Sequence, residues 1–247
     1  MLLKLLKYEI KSSYGKFIVA FSVYILVAAV LMMFFRDYET VTTSSLAFGM
    51  VALTVITFLT IFRRYNSNLY GGEGYLMFTL PIDGKVILAS KLISALIWTV
   101  GVALIIVPSS TILILNYGNS SYINDSYNFF QINKTYTIMF GMEYLLNIFL
   151  TVLIIYFSIS ISKLPIWKRF SVLAGFVIYF VIDILSSIPA FIFKNVAIEA
   201  KTTAGFNVLV KDNSIYNVSM VCLFDLFTFI ILFFATSYLL DNKTSLK

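Results

Sequence analysis

Six stretches of this chain are apolar over a length that matters. Phe17–Phe35, Leu46–Phe62, Leu92–Leu115 and Tyr144–Ser162 carry no charged side chain, while Phe170–Phe193 and Asn217–Leu240 carry one each, Asp183 and Asp225. A bilayer core takes ~20 residues of α-helix to cross. Each stretch therefore predicts one transmembrane helix, and residues 1–247 read as a single all-α integral membrane domain of six spans. Polar and charged residues punctuate the pattern on both sides: Lys16 before the first run, Arg36 after it, Arg63 and Arg64 after the second, and Lys163 after the fourth.

The segments between the runs differ in character. Residues 1–16 form an amphipathic opening, with Leu2, Leu3, Leu6 and Ile10 on one helical face and Lys4, Lys7 and Lys11 on another. That pattern predicts an interfacial helix lying among lipid headgroups, its lysines at the membrane interface. Tyr70–Leu92 is too polar and too punctuated to span. It holds three glycines, Glu73, an apolar-aromatic patch (Tyr75, Leu76, Met77, Phe78, Leu80), Pro81, and the basic residues Lys85 and Lys91. A turn that presents an apolar knob beside a charge suits contact with another protein. Asn116–Glu143, rich in Asn, Ser and Tyr, reads as a polar loop. Pro189–Tyr216 starts amphipathic and is expected to dip back into the bilayer. Pro108 and Pro189 are expected to kink their helices, because each removes a backbone hydrogen bond.

Composition agrees with the pattern: 60% of the 247 residues are hydrophobic and 12% are charged, at a mean hydropathy of +0.92. Charge then sets an orientation. With the N-terminus in the cytoplasm, 13 of the 18 Lys and Arg residues fall on the inner side, leaving outside only Arg36, Lys134, Lys194, Lys201 and Lys211. The positive-inside rule thus predicts a multi-pass protein of the cell membrane with both termini cytoplasmic, and it places Tyr70–Leu92 in the cytoplasm. The same clustering beside apolar runs explains the net charge of +6 without a nucleic-acid partner. The N-terminus lacks the small-residue cleavage pattern of a secretory signal, so the first run is expected to stay as a span.

Several chemistries drop out. There is no histidine, which removes imidazole acid–base catalysis and every His-containing metal site. Cys222 is the only cysteine and has no partner for an internal disulfide. The Gly-Lys pairs at Gly15-Lys16 and Gly84-Lys85 lack the spacing of a phosphate-binding loop. No catalytic residue, metal or cofactor is expected, and ATP hydrolysis is assigned to a separate subunit. Asp183 and Asp225 have two readings. Carboxylates at membrane depth either line a polar pathway or fix helix packing through hydrogen bonds.

The central stretch carries a resemblance. Glu73–Ile82 (EGYLMFTLPI) followed by Leu88–Trp98 (LASKLISALIW), with the basic opening Leu5–Lys11 (LLKYEIK), resembles the permease subunits of ABC-2 type transporters of Gram-positive bacteria. The resemblance implies an N-terminal elbow helix, six spans and a cytoplasmic coupling helix between the second and third. It also implies an ATPase subunit and a second permease, identical or not, as partners. Carried onto this sequence, the ATPase-coupling role falls on Glu73, Gly74, Tyr75, Leu76, Phe78, Thr79, Leu80 and Pro81. Relatives of this kind export amphipathic or hydrophobic substrates, antimicrobial and cytolytic peptides among them. Two other readings remain open: an immunity or sensor component that binds a peptide at the cell surface without transporting it, and an ion-coupled carrier working through Asp183 and Asp225.

Overall fold

The computed structural model describes residues 2–71, 82–118, 121–167, 170–193 and 212–242. Apart from one 3-10 turn at Pro165–Trp167, the regular structure there is α-helical: α1 (Leu2–Phe34), α2 (Glu39–Tyr70), α3 (Gly84–Tyr117), α4 (Ser121–Ile132), α5 (Lys134–Ser162), α6 (Ser171–Phe193) and α7 (Asp212–Asn242). Six of these, all but α4, are long and apolar enough to cross a membrane. Together they contain the six predicted runs apart from Phe35 and Phe170, each one residue outside its helix. Many large apolar side chains point outward on them, for example Leu26, Phe48, Leu104, Val172 and Phe227, each more than 60% exposed. That inverts the soluble pattern and suits a hydrocarbon surround. Hydroxyls inside the spans donate back to the preceding turn, as Thr57 does to the Leu53 carbonyl (2.9 Å) and Ser160 to that of Tyr156 (2.8 Å). Such back-bonding satisfies these hydroxyls within their own helix, away from lipid.

The helices form two compact units, residues 1–120 and 121–247. In the first, α1, α2 and α3 each pack against the other two. Their core holds Tyr24, Leu53 and Val102, with Phe21, Met50 and Ile105 closing around it. Two glycines let the helices approach. A Cβ on Gly49 would lie 3.1 Å from the Tyr24 ring, and one on Gly101 would lie 3.2 Å from the Phe21 ring. Such close approach is what small residues provide in membrane helix packing. Buried Thr42 secures the turn from α1 to α2 by bonding the carbonyls of Phe35 (2.7 Å) and Tyr38 (3.1 Å). In the second unit α5 packs against α6 and α7, and those two against each other.

Three expectations change. The opening is not a separate elbow: α1 runs unbroken from Leu2 to Phe34. No proline interrupts it, and the single Gly15 costs only about 1 kcal/mol in a helix interior. Side-chain bonds from Glu9 and Ser13 to α3 hold the segment as well. Next, Asn116–Glu143 is largely helical, as α4 and the first ten residues of α5. Asn133 alone separates the two, in a non-helical conformation. Third, α3 begins at Gly84, eight residues before the apolar run. α3 continues as helix through Pro108 and α6 through Pro189, so neither proline ends its helix. The expected re-entrant region beyond Phe193 lies outside the described residues.

Candidate functional site

Both helices that flank residues 72–81 extend past their apolar runs. α2 continues from Arg63 to Tyr70, and α3 starts at Gly84, well before Leu92. Each extension is about two turns, or ~12 Å of helix. Within these extensions the chain builds a buried ion cluster. Glu9 of α1 accepts from Arg64 of α2 at 2.5 Å and from Lys91 of α3 at 2.8 Å, one cation on each carboxylate oxygen. The side chains are 6% (Glu9), 14% (Arg64) and 3% (Lys91) exposed. A single carboxylate therefore ties all three helices of the unit together.

Local sequence explains why these groups face inward. Glu9, Ser13 and Phe17 are spaced by four and share one buried stripe of α1. Lys91 lies one turn from Ile87 and one turn from Ala95, both buried. Each charge sits on an apolar face, so it is forced into the interface, where only an opposite charge relieves its desolvation. A second layer lies directly above. The Trp98 indole N–H donates to the Ser13 hydroxyl at 3.0 Å, and that hydroxyl donates to the Glu9 carbonyl at 2.7 Å. The Trp98 ring stacks on Phe17 at 4.2 Å between centroids, 12° from parallel. Ion cluster, hydrogen-bond relay and aromatic stack form one continuous seam between α1 and α3.

Glu73, Gly74, Tyr75, Leu76, Phe78, Thr79, Leu80 and Pro81 all lie outside the described residues. Lys4, Lys7 and Lys11 are exposed on α1, opposite the buried Glu9 stripe, as their spacing predicts. Leu2, Leu6 and Ile10 are partly buried, but Leu3 is 78% exposed and leaves the apolar face assigned to it. Asp225 is buried on the face of α7 that also carries Val218, Val221, Leu232 and Thr236. Asp183 is only half-buried on α6, one turn from Tyr179. Glu143 of α5 is buried too, and Cys222 lies within electrostatic reach of both it and Asp225. Sequence reasoning had placed Glu143 merely at the edge of a span.

Glu9, Arg64, Lys91 and Trp98 were all missed as a site. The signal available was the i, i+4 continuation of the Phe17 stripe back to Ser13 and Glu9, which makes Glu9 an acid facing the interior. The pairing itself spans 55 and 82 residues of sequence, beyond any local pattern. No family model, curated protein or solved structure matches this chain.

Proposed function

We propose that this chain is the membrane-spanning permease subunit of an ATP-driven ABC exporter. It works with a separate ATPase subunit and a second permease, and it moves an amphipathic or hydrophobic substrate, of the class of antimicrobial or cytolytic peptides, out across the cell membrane. Residues 72–81 dock on the ATPase from the cytoplasmic side, where both termini also lie. Tyr75, Leu76 and Phe78 fill a groove there as buried anchors, and Glu73 pairs with a basic group.

One observation carries the reading. The stretches that bear the resemblance, Leu5–Lys11 and Leu88–Trp98, are far apart in sequence yet meet through Glu9–Lys91 at the base of the proposed docking loop. Arg64 joins them from the helix that leads into that loop. A push on the loop is thus delivered to α1, α2 and α3 together rather than absorbed by one helix. Rigid-body movement of packed helices is the form such coupling takes.

The test is co-purification. The chain is expressed with the ATPase encoded beside it, captured by its own tag, and assayed for ATP hydrolysis. A stable, active complex that the Tyr75→Ala/Leu76→Ala/Phe78→Ala variant loses is the expected result. Failure of any ATPase to co-purify with the intact chain overturns the proposal.

A further inference from the structure

A cavity of about 600 Å³ opens between α1 and α2 beside the ion cluster. Ser12 and Lys16 of α1 line it with Arg63, Arg64, Asn66 and Asn68 of α2, and no carboxylate lines it among the described residues. Arg64 reaches Glu9 from one wall, and Glu9 is already shared with Lys91. Lys16 and Arg63 are exposed at the rim. The carbonyl oxygen of Asn66 is buried and has no hydrogen-bond partner. Among the described residues the wall therefore offers excess positive charge.

Its level along the helices is informative. Lys16 directly precedes the charge-free run that begins at Phe17, and Arg63 directly follows the run that ends at Phe62. The cavity consequently sits where both helices leave the apolar layer, at headgroup depth. On the membrane side of the rim, Ile18, Val19, Leu59 and Phe62 are 47%, 63%, 49% and 40% exposed. Cations above an apolar flank match an anionic headgroup with its acyl chains below.

We propose that this cavity is a binding site for a phosphate group. The flanking apolar surface favours an anionic glycerophospholipid as the source, with the phosphate between Lys16, Arg63 and Arg64. This site is independent of the transport reading. A merely topogenic cluster of basic residues sets orientation and requires no cavity.

The experiment uses the full chain in detergent, titrated with phosphatidylglycerol or phosphatidylcholine. Retained lipid is read by native mass spectrometry and the unfolding midpoint is read in parallel. Phosphatidylglycerol is expected to be retained in preference to phosphatidylcholine. Lys16→Gln/Arg63→Gln, which leaves the Arg64–Glu9 pair intact, should lower that preference by roughly tenfold or more. Ser12→Trp keeps every charge but fills the cavity, and should abolish the preference even if the double variant folds poorly. Inorganic phosphate and glycerol 3-phosphate form the second arm. If they raise the midpoint as much as phosphatidylglycerol does, the site stands with a soluble phosphate compound as its source. Equal retention of the two lipids by the unaltered chain with no response to either phosphate, or a lipid preference that survives Ser12→Trp, overturns the proposal.

Discussion

Glu9 holds one negative charge against two positive ones, and that imbalance makes the three residues unequal. Removing the anion takes from buried Lys91 and largely buried Arg64 the one carboxylate they share. Removing Lys91 still leaves Glu9 with Arg64. Breaking a buried pair from the uncompensated side costs on the order of 3–5 kcal/mol. Glu9→Gln should therefore destabilise the first unit by about that much in thermal unfolding, and Lys91→Met by clearly less, below about 2 kcal/mol. Equal losses would contradict the arrangement. Trp98→Phe keeps the stack on Phe17 but deletes the donor to Ser13, an expected loss of about 1 kcal/mol. Trp98→Ala, which removes both, should cost about 3 kcal/mol or more on the same scale. Part of this was legible beforehand. The spacing of Glu9, Ser13 and Phe17 puts an acid on a buried face, and Lys91 sits amid Ile87, Leu88, Leu92 and Ala95. Which charge meets which was not legible, because that depends on how three helices align.

At the scale of elements, the sequence pattern located all six spans, since a long charge-free run has few alternatives once it is too long for a soluble core. The ends were harder. Composition around Gly15 and through Asn116–Glu143 is polar, and polarity alone does not separate a solvated helix from a loop. Among the described residues there, Gly118 and Asn133 lie outside the helices. Helix packing in the first unit makes a sharper claim. Gly101 faces the Phe21 ring at a distance that a Cβ narrows to 3.2 Å. Gly101→Ala should be nearly neutral, because a shift of a few tenths of an ångström is offset by better helix propensity, worth ~1 kcal/mol. Gly101→Leu overpacks the α1–α3 seam and should cost roughly 1–3 kcal/mol, read as a lower unfolding midpoint. If leucine is tolerated as well as alanine, α1 and α3 do not approach there.

For the molecule as a whole, the arrangement of the first unit gives the account its logic. The helices on either side of residues 72–81 extend past their apolar runs, and Glu9 fastens those extensions to α1. The lysine and arginine asymmetry, 13 residues against 5 in the predicted topology, predicts a cytoplasmic position for that end, as the proposed docking on an ATPase requires. The spans and the basic end were readable from sequence, whereas the fastening was not. Asp183 and Asp225, which stand out in the sequence, are set apart by burial: Asp225 packs inside the second unit and Asp183 is half-buried. The most direct test of the central claim is substrate export by the chain reconstituted with its ATPase in vesicles, comparing the unaltered protein with Glu73→Ala/Leu76→Ala. The account predicts that the double variant inserts normally while its export falls to background and ATP hydrolysis no longer drives it. Normal export by a well-inserted double variant would show that residues 72–81 do not couple the two subunits.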